Sequence, residues 1–450
     1  MPESSLDAIF KAYDVRGVVP DEFDADLARR IGAAAARVLE GDALVVGRDV
    51  RPSSPDLVSA FTEGVTSQGV DVVDVGLSST DMLYFSSGVL DIPGAMFTAS
   101  HNPPQYNGIK LCRAGAVPVS IDSGLGEIRD LVASDDLASD ESPGEEREED
   151  MLSRYAEHVR SFIDLDVLRP LTVVIDAANG MAGHVVPAVF EPLPFELVPL
   201  YFELDGTFPN HPPDPSNEDN LADLRDAVRE HNADLGLAFD GDADRIFAVN
   251  ENGESVRPSL IAAVVAARVL EKEPGATILY NLICSRVLPE TVREHGGDPV
   301  RTRVGHSFIK QRMAETGAAY GAEHSGHYYF RENFRADSGL VAALILLEAL
   351  SLADAPLSQV VAPYDRYVQS GEVNFEVDDQ EAVLERVAEE FEGRGELDRT
   401  DGLTVELDGA WFNLRPSNTE PVIRLNVEAE EEDEMTRLRD EVAELISGAS

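Results

Sequence analysis

The sequence predicts an α/β chain of three similar domains followed by a smaller α+β domain. Three observations carry that reading. The chain has 450 residues, too many for a single hydrophobic core. An apolar strand, a polar loop and a helix recur three times, beginning at Ala43, Leu171 and Ala276. The remainder is shorter, mixes strands with helices and ends in the acidic helical stretch "DEMTRLRDEVAELI". Strands alternating with helices build mostly buried sheets covered by helices.

Each element has a local reason. In "ALVVGRDVRPSSPDLVSAFTEGV" Ser54 is placed as an N-cap and Pro55 at the first helical position. "LTVVIDAANGMAGHVVPAVF" and "ATILYNLICSRVLPETVREHG" repeat the plan with little residue identity. The charged run "LASDESPGEEREED" (137–150), "NENGESVRPS" (250–259) and "APYDRYVQSGEV" (362–373) read as boundaries, giving domains at 1–148, 149–252, 253–365 and 366–450. "GLVAALILLEAL" (339–350) is the longest apolar run; it is too short for a bilayer and contains Glu348, so it reads as a buried helix. The acids of "EAEEEDE" suit a helix start, where they complement the dipole. The N-terminal "MPESSLDAIF" has acids and no basic region, so no secretory signal is expected. Cys112 and Cys284 are far apart and lack metal-type spacing, which fits a reducing cytoplasm without disulfides.

Charge is the unusual feature of the composition. Asp and Glu number 84 against 36 Lys and Arg, a formal net charge of −48. Such a charge repels itself in dilute buffer and is tolerated where salt screens it. The acids are spread along the chain, which excludes an acidic tail, and the composition resembles that of proteins from salt-accumulating halophilic archaea. The sign of the charge argues against nucleic acid as a partner. Only Lys11, Lys110, Lys272 and Lys310 remain as lysines, so each is a candidate for a local task.

Four loops carry chemistry. In "TASHNPPQYNGIK" (98–110), Ser100 and His101 follow a strand, and Pro103 and Pro104 stiffen what comes next. That is a place to present a nucleophile, although a lone Ser-His pair is more often a polar turn. In "DLGLAFDGDADRIFAVNENG", Asp240, Asp242 and Asp244 alternate on one tight loop, a donor set for Mg²⁺ or Ca²⁺. Glu251 falls at the twelfth position of an EF-hand count, but Arg245 occupies the sixth, where glycine is needed, and the flanks read as strands. A plain acidic turn is the bland alternative in so acidic a chain. In "GAEHSGHYYF" (321–330), Glu323, Ser325 and His327 alternate, so an extended loop would point them to one face, suited to sugar hydroxyls. In "FNLRPSNTEPVIRLNVEAE", Arg415, Ser417, Asn418 and Thr419 offer a fork and hydroxyls, a phosphate cradle or an ordinary hairpin with Pro416 in its turn.

In this order, one per domain, the four loops resemble the α-D-phosphohexomutase superfamily, and the resemblance covers the whole chain. "FKAYDVRG" and "VGRDVRPSS" are similar to the family's N-terminal segments. The similarity is greatest to phosphomannomutases and dual phosphomannomutase/phosphoglucomutases, through "HYYFRENF" with "ADSG" and through "FNLRPSNTEPVIRLNVE". Asn418 stands where phosphoglucosamine mutases and many phosphoglucomutases have glycine. Ile283 in "NLICSR" stands where some bacterial phosphomannomutases carry a lysine, a departure within the substrate contacts of that domain.

The resemblance implies mixed sheets, an active-site cleft between the domains and a hinge near 362–373. It implies interconversion of hexose 1-phosphate and 6-phosphate through a phosphoserine at Ser100 and a hexose 1,6-bisphosphate, which also serves as activator. Mg²⁺ would sit on Asp240, Asp242, Asp244 and the Ser100 side, with Lys110 and Arg245 adding positive charge. His101 or His306 would be the general acid or base. Glu323, Ser325 and His327 would meet the sugar, and Tyr13, Arg16, Arg415, Ser417, Asn418 and Thr419 would complete the substrate contacts. Sugar phosphates are the expected partners, with neither nucleic acid nor membrane; the state is left open between monomer and weak oligomer. Phosphoglucosamine mutase is the nearest rival, followed by a phosphatase and a non-catalytic cation-binding protein.

Overall fold

The computed structural model describes residues 3–134, 137–138, 142–416 and 422–448. Its first three sheets share one four-strand plan. In the first domain the strand Ala43–Arg48 runs parallel to both Asp71–Leu77 and Gly94–Phe97, and Gly94–Phe97 is antiparallel to Tyr106–Arg113. In the second, Thr172–Asp176 lies parallel between Glu196–Leu200 and Leu235–Phe239, and the latter pairs antiparallel with Ile246–Asn250. In the third, Thr277–Asn281 lies parallel between Asp298–Thr302 and Tyr320–Ala322, and the latter pairs antiparallel with Tyr328–Phe330. The central strands are buried along both faces (Val45 and Val46, Val173 to Ile175, Ile278 and Leu279), which is why they read as unbroken apolar runs.

This plan places the site. In each domain a candidate loop joins the third strand to the antiparallel fourth: residues 98–105, 240–245 and 323–327. Three equivalent corners therefore supply three different functional loops. The fourth domain is a five-stranded antiparallel sheet in the order Val368–Glu376, Val422–Ala429, Ala410–Pro416, Leu403–Glu406, Glu396–Asp398. Helices Gln380–Phe391 and Glu432–Ser447 pack on it, the second opening with Glu432, Asp433 and Glu434 in its first turn.

The apolar core is shared unevenly. One cluster runs from Val45, Met82 and Met96 through Val173, Val186 and Leu237 to Ile278, Leu340 and Leu347, so the first three domains are packed into one body. The fourth keeps a core of its own around Phe391, Phe412 and Leu425. Asp81 fastens the first three together: it accepts hydrogen bonds from Ser79 of its own domain, Tyr155 of the second and Ser338 of the third.

Several expectations are corrected. The helix Ser54–Thr66 has Ser53 at its N-cap; the Ser54 hydroxyl instead donates to Asp49 Oδ1 at 2.9 Å. Residues 137–150 are more than a linker, because Glu146–Glu148 adds a parallel edge strand beside Asp71–Leu77. Ser255–Val256 pairs with Ile246–Asn250, so a cut after residue 252 would remove a strand from the second sheet. The expected buried helix runs Gly339–Ala353, with Glu348 buried against Arg268 and Lys272. Cys112 and Cys284 are both free and buried. No single helix among the described residues is long and apolar enough to cross a membrane.

Candidate active site

Ser100 ends its strand in a left-handed backbone conformation, φ 48°, uncommon for a residue with a side chain. The hydroxyl donates to Asp240 Oδ2 at 2.7 Å, and Arg245 Nη2 donates back to it at 3.2 Å. Arg245 Nη2 also lies 2.7 Å from His101 Nδ1. Burial, then the guanidinium of Arg245, pushes the His101 imidazole down to about 2, so it is neutral and its Nδ1 accepts a hydrogen bond from Arg245.

The acidic loop is a hairpin turn between Leu235–Phe239 and Ile246–Asn250, with strands on both sides. That flanking rules out an EF-hand. Asp240, Asp242 and Asp244 are all buried, and a ligand oxygen from each lies within 4.8 Å of the others. Lys110 Nζ reaches Asp242 Oδ2 and Asp244 Oδ2, both at 2.7 Å, and Thr80 Oγ1 donates to Asp242 Oδ2 at 2.6 Å. Burial raises Asp240 well above the carboxylate range against the pull of Arg245. Burial would do the same to Asp242, but Lys110 outweighs it and holds that carboxyl low. The two Asp carboxylates likewise overcome the burial of Lys110 and hold it charged.

The metal fit rests on oxygens left over. Asp242 Oδ1 and Asp244 Oδ1 are buried without a hydrogen-bond partner, a costly condition unless a ligand meets them. An all-oxygen, carboxylate donor set suits a hard divalent cation.

The third loop departs from the extended form expected of it. Glu323 N donates to His327 O and Gly326 takes φ 84°, so the segment is a tight turn. Glu323 is buried with both oxygens engaged: Oε1 accepts from Gly305 N at 3.0 Å and Asn281 Nδ2 at 3.1 Å, and Oε2 from Tyr329 at 2.7 Å. Ser325 Oγ lies 2.9 Å from His327 Nδ1. His327 Nε2 stands 3.7 Å from Asp244 Oδ1, and Arg245 forms a backbone bridge to His327, which joins this loop to the acidic one.

The remaining candidates close the circle. Arg16 lies in Val15–Val18 and donates to Asn102 Oδ1 at 2.7 Å. Tyr13 packs edge-on to Phe308, and Arg303, Glu323 and Arg415 all act electrostatically on its hydroxyl. Arg415 is the penultimate residue of the strand Ala410–Pro416, which keeps Pro416 paired with Ile423 and out of the turn. His306 opens the helix His306–Thr316. Ser417, Asn418 and Thr419 lie outside the described residues. Ile283 is buried against Trp411 of the fourth domain, with Leu282 beside it.

Sequence reasoning missed five residues here. Thr80 caps the Asp242 carboxylate, and Asn281 anchors Glu323. Arg303 lies over the Phe308 ring, 4.5 Å from its centroid. Arg51 with Asp49 grips the Ser100 loop from beneath. The last pair was visible only as part of "VGRDVRPSS", a segment without an assigned task.

Comparison with known proteins agrees with this geometry. The phosphoglucomutase/phosphomannomutase family models match domain by domain: alpha/beta/alpha domain I at residues 7–138, domain II at 153–253, domain III at 257–367 and the C-terminal domain at 372–445. The chain belongs to the phosphoglucomutase/phosphomannomutase family. A phosphohexose mutase of Xanthomonas campestris is 42% identical over 444 residues, 98% of this chain and 99% of its own. The phosphomannomutase/phosphoglucomutase of Pseudomonas aeruginosa is 39% identical, covering 96% and 94%. The crystal structure of a family protein from Burkholderia thailandensis superposes with a TM-score of 0.91 at 36% identity, covering 98% and 97%.

Proposed function

We propose that this mutase interconverts the 1- and 6-phosphates of mannose, glucose or both, with Ser100 as the phosphoryl carrier and a hexose 1,6-bisphosphate as intermediate. The observation that supports this best is Ser100 Oγ in contact with Asp240 of the acidic loop and Arg245 beside it. Full-length relatives named for these activities support the substrate class.

Asp240, Asp242 and Asp244 would hold Mg²⁺, which when bound draws charge from a phosphoryl group on Ser100. In the forward half-reaction the bond from Ser100 Oγ to phosphorus breaks, a bond from a sugar hydroxyl to phosphorus forms, and that hydroxyl's proton passes to a base. His101 and His306 are the two candidates for that base. Lys110 and Arg245 stay charged and offset negative charge at the acidic loop. Glu323, Ser325 and His327 would orient the sugar, the first by fixing the turn that presents the other two. Tyr13, Arg16 and Arg415, with Ser417, Asn418 and Thr419, would hold the phosphate that is not reacting. After the bisphosphate turns over, the second phosphate returns its phosphoryl group to Ser100.

The test is turnover of mannose 1-phosphate, glucose 1-phosphate and glucosamine 1-phosphate side by side in high KCl, Mg²⁺ and a trace of glucose 1,6-bisphosphate. Conversion of the first or second, lost in Ser100→Ala, is expected. Preference for glucosamine 1-phosphate would move the chain to amino-sugar chemistry. Release of free phosphate, or turnover surviving Ser100→Ala, would overturn the mechanism.

A further inference from the structure

Arg51 is a fully buried cation that the mechanism above does not use, with a side chain 0% exposed. An arginine side chain has five N–H donors in a planar fork. All five are spent here. Nε donates to Asp49 Oδ2 at 3.0 Å. Nη1 donates to the carbonyls of Pro103 at 2.7 Å and Tyr106 at 3.0 Å. Nη2 donates to the carbonyls of Ser100 at 2.8 Å and Asn102 at 2.7 Å. Four backbone oxygens of one loop therefore converge on one guanidinium, and the first belongs to Ser100 itself.

The other side of that carbonyl is also closed. A Cβ on Gly241 would lie 2.5 Å from Ser100 O, so the acidic loop rests directly on the serine loop. A Cβ on Gly206 would lie 2.6 Å from the Arg51 Cα, and Phe208 faces the guanidinium at 5.2 Å, so the second domain covers Arg51 as well. Asp49 is itself tied down by Ser54, whose hydroxyl also receives Asn107 Nδ2 at 3.0 Å. The left-handed φ of 48° at Ser100 is a conformation that surrounding contacts must enforce.

We propose that Arg51 is a positioning residue for phosphoryl transfer: its fork holds the Ser100 carbonyl and so aims the Ser100 side chain at the acidic loop. This rests on the mutase reading. Arg51 touches neither substrate nor reacting atoms; it acts through the loop backbone. A lysine keeps the charge but cannot span four carbonyls, since its three donors radiate from one point.

The experiment follows phosphoryl uptake on Ser100 from glucose 1,6-bisphosphate by intact-protein mass, with steady-state kinetics on glucose 1-phosphate and amide hydrogen exchange, in wild type, Arg51→Lys and Asp49→Asn. Arg51→Lys is expected to slow both uptake and kcat about a hundredfold, the effect of a small misplacement of a reacting group. KM should stay within about threefold, since the substrate contacts are untouched. Faster exchange should be confined to residues 99–108. Asp49→Asn leaves the four carbonyl bonds in place and is expected to slow uptake less, about tenfold. Wild-type uptake in Arg51→Lys overturns the assignment. So does accelerated exchange across the whole first domain in both variants, which would make Arg51 a general structural residue. A wild-type chain that takes up no phosphoryl group overturns the mutase reading and this assignment together.

Discussion

Ser100, Asp240 and Arg245 come from loops 140 and 145 residues apart in sequence, yet they share hydrogen bonds. At this scale the buried carboxylates divide into two kinds. Asp242 and Asp244 each retain a buried oxygen without a hydrogen-bond partner, beside Asp240. Asp81 is served by three hydroxyls and the Met82 N–H, and holds three domains together. Burial pushes the Asp81 carboxyl up to about 6, against the hydrogen bonds of Ser338, Ser79 and Tyr155. The native group thus binds its proton more tightly than the unfolded aspartate, whose ordinary value is 3.8. Its contribution to stability is complete below that value and is lost as pH rises through 6. Relative to Asp81→Asn, the metal-free wild type should lose about 3 kcal/mol of unfolding free energy between pH 4 and pH 6 and nothing further above it. Denaturant titrations of both proteins across that range would show a flat difference if the shift were absent.

Among elements, the informative feature is the corner between third and fourth strands. The alternation of strand and helix was legible because buried parallel strands and amphipathic helices have distinct periods. The added edge strands were not: Glu146–Glu148 is charged and exposed at every position, and only its pairing beside Asp71–Leu77 makes it a strand. The turn at Glu323 was misread for a related reason, since alternation in sequence cannot reveal a φ of 84° at Gly326. Close helix packing was also hidden. A Cβ on Gly64 would lie 2.0 Å from Arg29 O, and one on Gly32 2.2 Å from Phe61 O, so Ala25–Val38 and Ser54–Thr66 meet backbone to backbone. Gly64→Ala should destabilise the protein by about 1–3 kcal/mol through overpacking, measured as a lower urea midpoint at unchanged slope.

Over the whole molecule, the division of cores predicts the motion. Domains one to three share an apolar core, while among the described residues the fourth touches the third through polar contacts and a small apolar patch around Trp411. Arg286 donates to Glu406 and to the carbonyls of Leu407 and Ala410, and Trp411 Nε1 donates to Glu428 Oε1 at 2.8 Å while packing on Leu282 and Ile283. The fourth domain should swing as a unit about residues 362–373 when a sugar bisphosphate binds. Trp411 is the only tryptophan, so its emission reports the docking directly. Emission and X-ray scattering that are both unchanged by glucose 1,6-bisphosphate would refute the hinge. The net charge of −48 predicts a second global property. Raising KCl from 0.1 M to 2 M shortens the screening length from about 10 Å to below about 3 Å, so the thermal midpoint should climb steadily. A midpoint that falls over that range would show that self-repulsion is not what limits stability.

By itself the sequence determined the four-domain plan, the family and the chemistry of the loops, because residue type and local period are carried within each segment. The alternating Asp240, Asp242 and Asp244, the Ser100–His101 pair and the isolated Lys110 stood out as candidates by residue type and spacing before their positions were known. Tertiary structure alone decided which of them meet. Lys110 bridges Asp242 and Asp244 because the third-to-fourth-strand corners of two domains face each other. Arg51 serves Ser100 because a strand end lies beneath a loop 49 residues later. Ile283 faces Trp411 because the fourth domain docks there. Such contacts depend on loop closure over long stretches of chain, whose outcome is set by the packing of the shared core and leaves no local mark on the residues involved.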